Sequence, residues 1–184
     1  VTPNVGYLPE TPPVYDELTG REQLEYVAGL RDLPERRAAE RIESLLDRFA
    51  LADDADKRIG GYSKGMKQKT ALVQAVLHEP EVLFLDEPTS GLDPRAARTV
   101  RDLIAELAAG ETTVFLSTHI LPVVDEVADA IGVMFEGELV AEGTPAELKQ
   151  RAEGGERTLE DAFLDVTERT DVEEPATVEE SGEE

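Results

Sequence analysis

The sequence has 184 residues, a length that allows one hydrophobic core with appendages. Asp and Glu number 41 against 18 Lys and Arg, and the formal charge of −23 argues against nucleic acid or anionic lipid as the main binding partner. Because the chain has no cysteine and only two histidines, it excludes disulfides, thiolate metal sites and histidine clusters, so any bound metal is a hard cation held by oxygen.

Two further features of the composition predict where the protein works. No stretch approaches the roughly 20 apolar residues that a bilayer-spanning helix needs, and no charged and apolar leader opens the chain. We therefore expect a soluble, intracellular protein. The acid excess is also typical of a surface adapted to a salt-rich (halophilic) cytosol, where repulsion between like charges is screened.

The first third of the chain predicts one strand followed by helices. The apolar run at 5–8, stopped by Pro9, predicts a strand. Apolar residues at helical spacing then predict a helix over 19–30 and, after a break at Pro34, a second helix over 38–49. These helices are expected to form a small helical insert after the first strand.

Strand and helix signals alternate in the middle of the chain. After a glycine pair at 60–61, a helix is predicted over about 66–77, and the apolar run 82–85 predicts a buried strand. A helix over about 95–108 then leads to a β-rich run at 112–117, which predicts another strand. This alternation predicts an α/β fold in which helices connect parallel strands.

The last third of the chain predicts a hairpin and two helices. Residues 131–141 predict a tight hairpin that closes the core as a short antiparallel edge. Capping patterns at 144–147 and 158–161 each predict the start of a helix. Residues 172–184 are acidic and nearly without bulky apolar side chains, so we expect them to be disordered.

Two adjacent carboxylates, Asp86 and Glu87, follow the predicted strand at 82–85. In a parallel sheet both lie at the carboxyl edge, where α/β proteins bind their ligands. Asp86 can hold Mg²⁺ directly or through water, and Glu87 can accept a proton from a water that attacks a terminal phosphoryl group. The alternative is a solvated acidic turn, but the apolar run before the pair and the Ser-Gly-Leu-Asp turn after it favour the catalytic interpretation.

Residues 83–94 resemble the Walker B motif and D-loop of the ATP-binding cassette (ABC) family, and residues 62–66 resemble its signature motif. The resemblance implies a P-loop NTPase-like parallel sheet with a small helical subdomain inserted, and it implies ATP and Mg²⁺ as ligands. In this family the signature reaches the γ-phosphate of ATP bound to the opposite subunit. The resemblance therefore implies a homodimer, with Ser63, Gly65 and the D-loop residue Asp93 as ATP-binding residues.

The residue types of the signature-like segment fit binding to a phosphate. Ser63 offers a hydroxyl, Gly65 lets a phosphate approach the backbone closely, and the N-terminus of the following helix directs free N–H groups at an anion. The alternative is a glycine loop that only precedes a helix. The segment departs from the family pattern at three positions, with Tyr62 for Leu, Lys64 for Gly and Met66 for Gln.

Two more residues resemble functional positions of the family. His119, which follows a predicted strand, resembles the switch histidine that contacts the γ-phosphate and the attacking water. Glu10 lies where the Q-loop usually has glutamine; its carboxylate can bind Mg²⁺ but cannot donate a hydrogen bond while ionised. The alternatives are a structural histidine and a charged surface turn.

The sequence contains no phosphate loop of the pattern G-x-x-x-x-G-K-[ST]. The nearest match starts at Gly60 and continues with Met66 in place of lysine. In the family this loop precedes the Q-loop, so we expect it to lie ahead of Val1, and we expect the chain alone to be inactive. The predicted segments are a Q-loop strand (1–14), a helical subdomain (15–61), the signature, Walker B, D-loop and switch part of the ATPase core (62–150), a C-terminal helical extension (151–170) and an acidic disordered tail (171–184).

Residues 7–15, the signature variant and residues 159–163 together resemble the ATPases of ABC-2 type exporters. This resemblance implies ATP hydrolysis that powers a separate transmembrane permease, at the cytoplasmic, inner face of the cell membrane. Two alternatives stay open: a soluble ABC ATPase acting on nucleic acid or ribosomes, and an inactive fragment that only pairs with a partner. The chain lacks the coiled-coil insert or second cassette expected of the former. For the latter, the presence of Glu87 and His119 argues against a degenerate site in the whole protein, whereas the missing phosphate loop argues that this piece is inactive.

Overall fold

The computed structural model describes residues 4–151 and 158–172, and these residues form five strands, seven α-helices and two short 3-10 turns. The chain divides into two units, Val1–His119 and Ile120–Glu184. Among the residues described, no helix combines the length and the apolar character needed to cross a membrane.

The first unit contains a three-stranded parallel sheet in the order β1-β2-β3. Its strands are β1 (Val5–Leu8), β2 (Val82–Asp86) and β3 (Thr113–Ser117). Leu85 is paired with Leu8 on one side, and Asp86 is paired with Ser117 on the other. The predicted parallel α/β arrangement is therefore confirmed, and the three strands end at one edge of the sheet.

Helix α3 (Lys64–Val76) packs against the sheet and is the most deeply buried helix of the first unit. Eight of its thirteen residues are buried, so the helix has little freedom to move independently of the sheet. Gly6 on β1 makes this close packing possible, because a Cβ atom there would collide with the carbonyl oxygen of Ala75. Helix α4 (Pro94–Ala109) connects β2 to β3.

Helices α1 (Gly20–Leu30) and α2 (Glu35–Arg48), followed by 3-10 turns at Ala52–Asp54 and Ile59–Gly61, lie between β1 and α3. Thr19 caps α1 through a reciprocal capping box with Glu22. The apolar residues at helical spacing predicted one buried face on each helix. On α1, Leu24 and Ala28 are buried and Val27 is partly buried. The face of the second helix is buried throughout and comprises Ile42, Leu45, Leu46 and Phe49.

The second unit has its own antiparallel sheet of β4 (Ile131–Phe135) and β5 (Glu138–Gly143). The hairpin is confirmed, but its predicted position as an edge of the parallel core is wrong, because within the described residues these strands pair only with each other. Their apolar side chains pack instead on a cluster within the second unit. That cluster comprises Leu148, Leu159 and Ala162, with Leu121, Val124, Ile131, Val133 and Ala141 packed against it.

Three helices complete the second unit: α5 (Leu121–Val127), α6 (Pro145–Arg151) and α7 (Leu159–Val172). Both predicted capping patterns are present, since Thr144 bonds to Glu147 and Thr158 bonds to Asp161 through main-chain and side-chain atoms. Helix α7 continues two residues past the predicted end of the extension at 170, and the predicted tail beyond Val172 lies outside the described residues. The other segment boundaries stay predictions.

Candidate functional site

The carboxyl edge of the parallel sheet brings most of the predicted site residues together. Asp86 is the last residue of β2 and Glu87 follows it, while His119 lies two residues beyond the end of β3. Glu10 is exposed and lies two residues beyond β1. Because neighbouring parallel strands end at the same edge, residues from three distant parts of the sequence meet on one surface.

The carboxylate of Glu87 is held by the two residues that follow β3. Its Oε1 accepts a hydrogen bond from the main-chain N–H of His119 at 2.9 Å, and Nδ1 of the His119 ring lies 2.8 Å from the same oxygen. Its Oε2 accepts a hydrogen bond from the Thr118 hydroxyl at 3.0 Å. The Glu87 side chain is 16% exposed and that of His119 is 81% exposed, so the glutamate is fixed below an accessible histidine.

The main chain of Glu87 is also fixed, and in an uncommon conformation. Its φ of 46° lies in the left-handed region, which residues other than glycine adopt rarely. Its N–H donates to the carbonyl of Ser117 at 2.9 Å, and its carbonyl accepts from Ser90 N–H at 3.0 Å and from the Gln68 amide at 3.3 Å. Positive φ at functional positions is a recurring feature of active sites, where the surrounding structure holds it.

The carboxylate oxygens at this edge suit a bound Mg²⁺. Asp86 Oδ1 accepts a hydrogen bond of 2.5 Å from the Ser117 hydroxyl, which orients the carboxylate. Among the described residues, no group of three or more His, Asp and Glu side chains forms a metal cage. One or two oriented carboxylates fit a magnesium ion that takes its remaining ligands from water and substrate phosphates.

The signature-like segment forms the N-terminus of α3. Ser63 is the N-cap, and its Oγ accepts a hydrogen bond from Met66 N–H at 3.2 Å. The departure at Tyr62 has a structural explanation: its ring is buried and its hydroxyl donates to the Asp54 carbonyl at 2.6 Å, which ties the segment to the first 3-10 turn. Burial raises the pKa of Tyr62, so the phenol remains a donor.

The signature-like segment and the D-loop are adjacent in the same chain. A Cβ atom on Gly65 would lie 3.4 Å from the carbonyl oxygen of Gly91, and the side chain of Lys64 packs over Gly91. Gly91 has a φ of +71°, which favours glycine at this turn. The departure at Lys64 is therefore accommodated by a glycine in the D-loop.

Asp93 has a structural role in this chain. It is the N-cap of α4, and its Oδ1 accepts hydrogen bonds from Ala96 N–H at 3.1 Å and Arg95 N–H at 2.9 Å. These bonds, led by that from Ala96, lower the pKa of the Asp93 carboxyl. Its assignment to ATP binding stays a prediction.

Sequence reasoning missed three residues of the site: Gln68, Ser117 and Thr118. Two hydroxyl residues, at 117 and 118, precede the switch-like histidine, but no local pattern indicates that these side chains bond to Asp86 and Glu87. The contact of Gln68 could not be predicted from the sequence, because a glutamine on a helix is usually exposed.

The chain is similar to ATP-binding proteins of transporters. The sequence model of the family described as ABC transporter matches residues 1–90. The daunorubicin resistance ATP-binding protein DrrA3 of Streptomyces coeruleorubidus is 45% identical over 153 residues, which are 83% of this chain and 48% of that protein. A fluoroquinolones export ATP-binding protein of Mycobacterium tuberculosis is 41% identical over 145 residues, or 79% of this chain and 47% of that protein.

The chain thus spans about half the length of the curated relatives it matches. It is also similar to a solved structure of the ATP-binding subunit of an ABC transporter, with a TM-score of 0.81 and 33% identity, over 90% of this chain and 69% of that one. An identity of 33% over this length indicates relationship and not a similar fold alone. This chain belongs to the ATP-binding subunits of ABC transporters.

Proposed function

We propose that the whole protein, meaning this chain joined to a phosphate-loop segment ahead of it, hydrolyses ATP and powers export through a separate membrane permease. The observation that carries the proposal is the contact between Glu87 and His119 at the carboxyl edge of the sheet. A carboxylate in this position can act as a general base, and an exposed imidazole beside it can reach a phosphate.

In the proposed reaction, Glu87 accepts the proton of the water that attacks the γ-phosphoryl group. The hydrogen bonds from His119 and Thr118 hold the carboxylate in one orientation, so little reorganisation is needed during the reaction. Asp86, with Glu10 on the same edge, would hold Mg²⁺. When bound with ATP, that ion neutralises charge that develops on the phosphate oxygens.

The N-terminus of α3 supports a second part of the proposal, a homodimer that closes around ATP. Ser63 is exposed there, Gly65 leaves the backbone accessible, and α3 has thirteen residues, enough for a dipole that attracts phosphate. Because the signature of one subunit acts on ATP held by the other, Ser63 and Gly65 would complete the partner's site.

The export direction and the ABC-2 type rest on the relatives, whose printed names refer to drug resistance and drug export. We place the permease contact on the region of α1 and α2 next to the Glu10 segment. Tyr15 and Tyr26 lie there at 54% and 47% exposure, with ring centroids 5.9 Å apart, and they line a shallow, mostly apolar groove with Leu18 and Glu17. Such a groove suits a coupling helix at the inner face of the membrane.

The catalytic proposal is tested by measuring ATP hydrolysis by the whole protein with Mg²⁺. Glu87→Gln keeps the shape of the side chain but removes the base, so turnover should fall on the order of 10²- to 10⁴-fold. Glu81→Gln is the matched control, since it removes the same charge from an exposed glutamate at the other end of β2. Hydrolysis by Glu87→Gln at the parental rate would reject Glu87 as the base.

The permease contact is tested by crosslinking, which is simplified because the chain has no cysteine. A cysteine at Tyr26 should crosslink to the permease, whereas a cysteine at the equally exposed Leu139 should not. Crosslinks confined to residues 172–184 would show that the docking surface has been placed wrongly.

A further inference from the structure

Gln68 is a polar residue that lies almost completely inside the first unit. It is 1% exposed on α3, and its amide Nε2 donates a hydrogen bond to the main-chain carbonyl of Glu87 at 3.3 Å. Burying an amide is unfavourable unless it is hydrogen-bonded, and an apolar residue would fill the same space without that cost. The contact with Glu87 is therefore a reason for glutamine at this position.

The other buried polar side chains of α3 make different contacts. Gln74 bonds to Gln23 and to the Pro13 carbonyl, and the Thr70 hydroxyl bonds to the Met66 carbonyl within the helix. Of these three buried polar side chains, Gln68 is the one with a hydrogen bond to Glu87, the proposed general base.

The main chain of Glu87 needs support because its φ of 46° is sparsely populated. The support comes from three directions. Ser117 on β3 accepts from the Glu87 N–H, Ser90 in the following turn donates to the Glu87 carbonyl, and Gln68 donates to the same carbonyl from α3. A carbonyl oxygen has two lone pairs, so Ser90 and Gln68 together can satisfy it.

We infer that Gln68 is a positioning residue, which holds the main chain of Glu87 so that its carboxylate faces the attacking water. The inference rests on the proposed role of Glu87 as base. Ser63, the N-cap of helix α3, lies five positions before Gln68, and the helix fixes the separation between the two residues. The N-terminus of α3 would contact the ATP of the partner subunit. Through Gln68 the same helix also contacts Glu87, the proposed general base of the chain's own site.

The inference is tested in the whole protein with Gln68→Met, which keeps size and helix propensity but removes the donor. We expect the single-turnover rate of ATP hydrolysis to fall about tenfold, the effect of one hydrogen bond, with ATP affinity unchanged. Thr70→Val is the matched control, because it removes a buried hydroxyl from the same helix without touching Glu87. Its rate should equal that of the parent.

A double-mutant cycle separates positioning from general damage to the fold. If Gln68 acts through Glu87, Gln68→Met should cause no further loss in a Glu87→Gln background. An equal loss in both backgrounds, or a parental rate for Gln68→Met alone, would overturn the inference. Gln68→Leu is used in the same cycle if the methionine variant does not fold. Failure of the proposed function is seen separately, as a Glu87→Gln protein that hydrolyses ATP normally.

Discussion

His119 and Glu87 are 32 positions apart in the sequence, and the ring Nδ1 of His119 lies 2.8 Å from Oε1 of Glu87. An ionised carboxylate only accepts hydrogen bonds, so this distance fits a ring that donates its Nδ1 proton to Glu87. The other ring nitrogen, Nε2, is not used in this contact, and it donates to a phosphate oxygen only when it also carries a proton. The contact makes the proposed base and the switch-like histidine one unit.

Replacing His119 with alanine should lower the turnover of ATP hydrolysis on the order of 10²-fold without loss of ATP binding. The effect should stop short of complete loss, because the main-chain N–H of residue 119 and the Thr118 hydroxyl still hold the carboxylate. Steady-state kinetics of the whole protein measures this. His78→Gln is the control at neutral pH. Hydrolysis by His119→Ala at the parental rate would contradict the assignment of His119 to the catalytic site.

Glu87→Gln should accumulate as an ATP-bound dimer, because binding survives while hydrolysis fails. Size-exclusion chromatography with light scattering detects the dimer. Asp86→Asn should differ, since it weakens the retention of Mg²⁺ and leaves the Ser117 hydroxyl with a poorer acceptor. Equal dimer formation by both variants would show that the two carboxylates do not have separate roles.

Ser63 can be tested for its structural and its functional role separately. Ser63→Ala should reduce the free energy of unfolding by about 1 kcal/mol, because the N-cap of α3 is lost. Ser63→Asp should retain that stability, since aspartate caps helices as well as serine does, but its charge should repel the phosphate and abolish ATP-driven pairing. Urea unfolding and light scattering measure the two effects. Pairing by Ser63→Asp at the parental level would remove Ser63 from the proposed dimer site.

His78 should make the stability of the first unit depend on pH. Burial lowers the pKa of His78 below its ordinary value of 6.5, and the cations Arg31 and Arg41 lower it further. As the pH falls from about 6.5 towards the lowered pKa of the folded state, the unfolded chain binds more protons than the folded one, so the free energy of unfolding falls over this interval. The pKa of the capping carboxyl of Asp93 is lowered from its ordinary value of 3.8. Protonation of Asp93 therefore reduces stability only in stronger acid and does not affect the range in which His78 titrates.

His78→Gln should remove this dependence while keeping a side chain that can donate to the Val5 carbonyl. The measurement compares urea midpoints at about pH 7.5 and about pH 5.5 for the parent and the variant. The parent should lose more stability between these values than the variant does. Identical losses would mean that His78 is not the group responsible.

The sequence by itself determined where most helices and strands lie, because their signals are local. The apolar run ending in Asp86 and Glu87 placed two carboxylates at a strand end, and the capping patterns at Thr144 and Thr158 each marked a helix start that the structure confirms. Alternation of strands and helices also implied that the strands of the core are parallel.

Only the tertiary structure decided which side chains meet. The bonds from Thr118 and His119 to Glu87 join residues more than thirty positions apart, and the bond from Gln68 crosses from a helix to a turn, so no local pattern encodes them. The hairpin was predicted correctly as a local unit but assigned to the wrong sheet. The position of the hairpin depends on the apolar residues that it contacts, and these come from α6 and α7, which follow it in the sequence.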